Sequence, residues 1–294
     1  MHKIIVIIVL LTKLNAFPTE LLSNWQNPSW EDLRTVQAYI DGELISTFPN
    51  AYGFRTDRVK SFKLFDPDRT SYDVHIEKGI DSSRCVICYC SLNDRYVAGM
   101  ERLINSLRNS GFSGDIVYRI GGWPNMNCGG IVLCDTPYAF KVSAFEEALR
   151  LGYKQALWLD ITAVVLSNLN HVFEQIKKNG AYFRNSFFDF AKENIISPTL
   201  AEAYQMSWDE IRSIPHRAAG VLGFDLERSD VRALIADWHQ LAEQKTPFQS
   251  CFPEQVPLSV LVTKYALHQG LCVYEEIVFS EDRIQPNTQI YIKY

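Results

Sequence analysis

This chain of 294 residues has no apolar run long enough to span a bilayer, no block of like charge, no glycine-rich phosphate loop and no usable Asn-x-Ser/Thr sequon. Each absence excludes something. A span takes about 20 consecutive apolar residues, whereas the run Ile4 to Leu11 stops at eight, so no stable transmembrane anchor is expected. Lys plus Arg number 29 against 34 Asp plus Glu, a formal net charge of -5 with no basic cluster. Nucleic acid is therefore not an expected partner. Lacking G-x-G-x-x-G and G-x-x-x-x-G-K-[ST], the chain is a poor candidate for dinucleotide or P-loop phosphate cradles. Without a sequon, glycosylation gives no sign of passage through the endoplasmic reticulum.

The seven cysteines are Cys85, Cys88, Cys90, Cys128, Cys134, Cys251 and Cys272, an odd number that leaves at least one thiol free. Cys85 and Cys88 make a C-x-x-C, but no second pair or His pair follows, and within the strand-like VICYC they read as buried thiols rather than half a zinc site. Cys128 with Cys134, in a loop rich in Gly and Asn, is the most plausible disulfide.

A composition of 47% hydrophobic and 13% aromatic residues can bury a large core. It suits one α/β domain, alone or with an appendage. Met1, His2 and Lys3, the apolar run and then Leu14-Asn15-Ala16 have the form of a secretory signal over residues 1–16, cleaved after Ala16. That predicts a lumenal protein of the secretory pathway or a secreted one; a buried first strand is the alternative. Residues 17–83 read as an N-terminal extension, part helical and part irregular. Ser29 and Asp32 form a capping box ahead of WEDLRTVQAYI, a helix expected to end at Asp41-Gly42. It is either a packing extension or a flap that recognises an acceptor.

Residues 84–294 carry the core. VICYCSL is a buried strand, and Asn93 or Asp94 caps a helix with Val97, Met100, Leu103, Ile104 and Leu107 at helical spacing, closed by Gly111. DIVYRI completes a βαβ unit, which sets the loop from Ser91 to Asp94 at the sheet's carboxyl edge. TPYAFKVSAFEEALRLG is the next helix. Lys141 lies in its first turn, where the dipole disfavours a cation; it is either solvated or placed there for an anionic partner. KQALWLDITAVVL follows, an apolar strand that delivers Asp160 to its rim, where open α/β sheets bind ligands. Further on, Asn168 or Asn170 opens the helix VFEQIKKN, closed by Gly180, and RAAGVLGF is a strand entered through small residues. Ser229 is expected to cap a long helix, Glu254-Gln255 precedes another, and His268 sits in the last turn of a helix ended by Gly270.

The succession VICYC, helix, DIVYRI, PYAFK, helix, LGYKQALWLDIT and AAGVLGFDL resembles the nucleotide-sugar-binding core of GT-A glycosyltransferases, over roughly residues 84 to 280. The resemblance implies a Rossmann-type mixed sheet flanked by helices, a nucleotide-diphospho-sugar donor, and transfer of a hexose to a hydroxyl of a glycan, lipid or protein. In that family an Asp-x-Asp signature ends the central strand, binding the donor ribose and, through a divalent cation, its diphosphate. Asp160 matches the first Asp, as ribose and metal ligand. Thr162 stands at the second, a departure that weakens any Mn2+ or Mg2+ site, because a neutral hydroxyl replaces an anionic oxygen. Lys141 and Arg217 are then the cations that would face the diphosphate. Ser91 would serve the base-binding loop, Gly220 the donor-sugar pocket, and Glu254 the acceptor as base or orienting carboxylate. Two other readings remain: a GT-A domain that binds sugar or protein without turnover, favoured by Thr162, and a haloacid-dehalogenase phosphatase. In the phosphatase, LDITAVVL would supply a nucleophile and Glu281-Asp282 the later acidic motif.

Overall fold

VICYC is apolar without alternation, which makes a strand that needs cover on both faces, and the computed structural model shows that cover. Its described residues are 74–90, 94–120, 138–186, 198–250, 252–278 and 281–293, with 39–40, 43–44, 136, 190 and 196. The central strand β4 spans Asp81–Cys90. From it, Cys85, Ile87 and Tyr89 enter one core cluster, while Val86, Cys88 and Cys90 enter another on the opposite face. The period of two thus divides one strand between two helical layers.

Helix α1 (Asp94–Asn109) covers the second face with the five apolar positions read from its spacing, all fully buried. Each such side chain gains roughly 1.5–3 kcal/mol by leaving water. The chain then enters β5 (Gly114–Ile120), α2 (Phe140–Arg150) and β6 (Gln155–Leu159). Helix α2 covers the first face through Phe140, Val142, Ala144, Phe145 and Ala148. Beyond β6 lie β7 (Ala163–Val165), α3 (Asn170–Asn179), β8 (Ala181–Asn185), α4 (Pro198–Ala203) and α5 (Trp208–Arg212). The chain continues through β9 (Arg217–Asp225), α6 (Ser229–Gln244) and α7 (Gln255–Lys264), then β10 (Ile277–Val278) and β11 (Ile290–Ile292).

A six-stranded mixed sheet has the order β3-β5-β4-β6-β9-β8, where β3 is His75–Glu77. β4, β5 and β6 are parallel, while β9 runs antiparallel to β6. From β4 the chain passes through α1 to β5 on one side, then returns through α2 to β6 on the other. That reversal opens a crevice between the carboxyl ends of β4 and β6, the position at which such sheets take ligands. A second, three-stranded sheet in the order β10-β11-β7 follows the β6 rim.

The expected mixed α/β sheet flanked by helices is what the chain forms. Several local expectations differ. Tyr39–Ile40 (β1) pairs antiparallel with Glu43–Leu44 (β2), so the last two residues of the expected helix are strand; its expected end at Asp41-Gly42 lies outside the described residues. Residues 30–38 lie outside those described. The sheet also begins before Arg84, since β3 pairs with β5 and β4 starts at Asp81. Lys78 Nζ, Gly79 N and Tyr153 Oη all donate to the buried Asp115 carboxylate, at 2.8, 2.8 and 2.6 Å, and fasten that edge. Arg228, not Ser229, is the N-cap residue of α6. α3 does open at Asn170, one of the two expected positions, with Leu169 as its N-cap and Asn168 Oδ1 accepting from Asn170 N at 3.1 Å. The last long helix ends at Lys264, so His268 sits in a separate 3₁₀ turn, His268–Gly270.

Candidate active site at the carboxyl end of β6

Asp160 leaves β6 in a tight turn. Its N–H donates to Gly220 O at 2.9 Å and its carbonyl accepts from Ala163 N at 2.8 Å, which fixes the residue against β9. Oδ1 accepts from Trp158 Nε1 at 2.7 Å and pairs with Lys141 Nζ at 3.1 Å. The side chain keeps 35% exposure. Oδ2 faces Gly220, where an added Cβ would come within 3.3 Å of it. One carboxylate oxygen is therefore committed to the protein and the other lies beside Gly220, a residue with no side chain.

Lys141 is not solvated; its side chain is 2% exposed. Nζ reaches Asp160 Oδ1, Glu254 Oε1 at 2.9 Å and Ala219 O at 3.0 Å, which uses all three of its protons. The rings of Trp158 and Tyr138 stand 5.5 and 5.9 Å from it. Burial works against its charge, but the carboxylates of Asp160 and Glu254 outweigh that and hold its pKa above the ordinary 10.5. The anionic partner implied by its unfavourable helix position is thus within the chain. Glu254, 3% exposed, takes the N-cap position of α7 and spends its Oε1 on Lys141. Tyr138 enters α2 at a φ of 62°, and burial, then Glu254, pushes its phenol well above the usual tyrosine range.

The structure thus gathers four of the expected site residues, Asp160, Lys141, Glu254 and Gly220. It sets Arg217 apart: the residue is buried at the start of β9, with partners in Asn185 and His268. Thr162 lies in the turn after β6, its carbonyl accepting from Lys293 N at 2.8 Å. Ser91, Cys128, Cys134 and Cys251 lie outside the described residues; Cys85, Cys88 and Cys90 are buried free thiols, as their strand setting predicts. Sequence reasoning missed Trp158 and Tyr138. Their signals were an indole donor two residues before the acid, on the same side of the strand, and a tyrosine at the mouth of the lysine helix.

A divalent cation would have to rest on Asp160, and hard cations want several oxygen ligands, preferably charged. Here one carboxylate oxygen is engaged, position 162 offers a neutral hydroxyl, and a lysine ammonium stands 3.1 Å away. Among the described residues no group of three or more His, Cys, Asp or Glu could hold an ion. Among the described residues, the side chains around Asp160 do not fit Mn2+ or Mg2+.

No protein-family model matches the chain, and no curated protein matches its sequence. Similar solved structures include the bifunctional glycosyltransferase WbbM in its apo form, at 11% identity and a TM-score of 0.48, with 73% of this chain and 46% of that one covered. The chain thus spans about half of WbbM. The galactosyltransferase LgtC with donor and acceptor sugar analogues is similar at 15% identity and a TM-score of 0.40, covering 71% and 86%. Mouse xyloside xylosyltransferase 1 in its apo form is similar at 11% and 0.46, covering 72% and 97%. At these TM-scores the likeness carries no conclusion about activity. No helix among the described residues is long and apolar enough to cross a membrane.

Proposed function

We propose that the chain is a GT-A-type glycosyltransferase that moves a hexose from a nucleoside-diphosphate sugar to a hydroxyl of a glycan, lipid or protein. The observation that supports this most is Asp160 at the switch point of the sheet, with Oδ2 beside Gly220. In this reading Oδ2 accepts from the donor ribose, the loop at Ser91 receives the base, and Gly220 leaves room for the sugar. Lys141 and Glu254 act as positioning residues that hold Asp160 in place. The bond between the anomeric carbon and the diphosphate oxygen breaks, the acceptor oxygen forms the new bond, and its proton passes to the departing nucleoside diphosphate. The phosphatase reading is not favoured, because β3, β4 and β5 precede Asp160 in the same sheet and Lys141 already binds its carboxylate.

Calorimetry with uridine and guanosine diphosphate sugars tests the proposal. Asp160→Ala should weaken binding at least about tenfold, the scale of a lost charge-assisted hydrogen bond. Binding as tight as in the unaltered chain would place the donor elsewhere. Donor consumption should survive a chelator, as the poor fit to a metal requires; binding without consumption across an acceptor panel would favour a binding module. We also propose secretory-pathway residence, supported by the form of residues 1–16. Mass spectrometry of the lumenal or secreted protein should find Ala16 and all before it removed, and an intact Met1 would count against it.

A further inference from the structure

We propose that Arg217, with Asn185 and His268, forms a second subsite on the same rim of the sheet, one that binds a substrate oxyanion, either phosphate or carboxylate. Arg217 is 4% exposed. Its Nη1 donates to Asn185 Oδ1, its Nη2 lies 3.3 Å from His268 Nδ1, and its guanidinium stacks 5.2 Å from the centre of the Phe183 ring. None of these partners is a carboxylate. Nε is buried without a hydrogen-bond partner.

The contrast with Lys141 is direct. The buried Lys141 meets two carboxylates and even the part-buried Arg119 meets Glu147, whereas Arg217 meets no carboxylate among the described residues. A charge removed from water without a counter-ion is costly and is kept only where something repays it. Burial indeed depresses the Arg217 pKa below its ordinary value. An anion supplied by the substrate would complete the site.

The geometry also says which edge is used. Carboxylates and phosphates take two adjacent N–H groups of a guanidinium in parallel. Asn185 and Phe183 fix the plane from Nη1 and from one face, so the edge left for a ligand is Nε with Nη2. On that edge Nε is covered and Nη2 meets His268 at 3.3 Å, so a ligand reaches it only when that cover gives way. His268 is exposed on its short turn, so the imidazole serves as a displaceable cover over a preorganised cation.

Position links the subsite to the substrate. β9 runs antiparallel to β6, with Leu159 opposite Val221, so the residues before Gly220 carry β9 past the end of β6. Arg217 lies three residues out from Gly220, up to about 10 Å of extended chain. An oxyanion there belongs either to the donor diphosphate or to an acidic acceptor sugar. This assignment rests on the proposed transferase reading, but the existence of an anion site does not.

Pyrophosphate, uridine diphosphate and glucuronate, each titrated against the full chain at matched ionic strength, test it. Matching is needed because phosphate stabilises folded proteins generally. At least one should bind, and Arg217→Met, verified as folded by circular dichroism and its own melting curve, should weaken that binding about tenfold or more. Arg217→Lys, with the charge but not the fork, should recover only part of it. Dependence of the diphosphates on Arg217 assigns the donor, and dependence of glucuronate assigns the acceptor. Asp160→Ala should leave pyrophosphate or glucuronate binding intact, which separates failure of this site from failure of the donor site. Equal anion binding by the unaltered chain and Arg217→Met, or no binding by any of the three anions, overturns the inference.

Discussion

At the scale of the residue, Lys141 is the side chain on which the site depends. Lys141→Met would leave Glu254 buried opposite a methyl group, and breaking one half of a buried ion pair costs about 3–5 kcal/mol. Urea unfolding should show a loss of that order, and the double variant with Glu254→Gln should lose clearly less than the sum of the two single changes. The pH dependence has a definite sign. The Lys141 pKa is raised in the folded chain, so its contribution is fully present below 10.5 and is lost as pH climbs through the higher folded value. The midpoint in urea should therefore stay level from this source through neutral pH and fall only on the alkaline side; in Lys141→Met that alkaline component should be absent. The unfavourable first-turn position of Lys141 was legible in the sequence and pointed to an anion. What was not legible is which anion, because Glu254 lies 113 residues away and is brought to Lys141 by the packing of α7 against β9 and α6.

At the scale of the element, β9 decides how much space Asp160 is given. Gly220→Ala would put a methyl carbon 3.3 Å from Oδ2 without demanding a left-handed backbone. Stability should therefore change by less than about 1 kcal/mol, while donor affinity should drop about tenfold or more, since the oxygen beside position 220 is then shielded. Unchanged affinity would mean that Oδ2 is not the acceptor of the ribose. The elements of the core were readable because each obeys one period: VICYC and QALWL are covered on both sides, and Val97, Met100, Leu103, Ile104 and Leu107 repeat as a helix. Tyr39–Ile40 were expected in a helix and are strand, because their pairing with Glu43–Leu44 is not visible in the helical spacing of the residues before them. His75–Glu77 was missed because three residues carry too little periodicity; their place is set by pairing with β5.

At the scale of the whole molecule, the site is closed by chain that comes from far away in sequence. β11 pairs with β7, Ile290 and Ile292 enter the same core cluster as α1, and Lys293 N donates to Thr162 O. Removing residues 289–294 should cost roughly 3–6 kcal/mol, two isoleucines at about 1.5–3 kcal/mol each. It should also impair donor binding more than the fall in stability explains, because the turn after Asp160 loses its partner strand. Calorimetry well below the melting temperature of the truncated chain checks this, and full donor affinity there would show that the turn is set by β6 and β9 alone.

That pairing also imposes a schedule. A polypeptide leaves the ribosome from its amino end, and domains generally mature as units in that order. The strands β4, β5 and β6 can come together while later residues are still being added, yet the turn that presents Asp160 waits for residues 290–293 before its neighbour exists. A nascent chain stalled short of them would hold a formed sheet with an unfinished binding edge. The proposed donor edge is thereby complete only once translation has delivered that last strand.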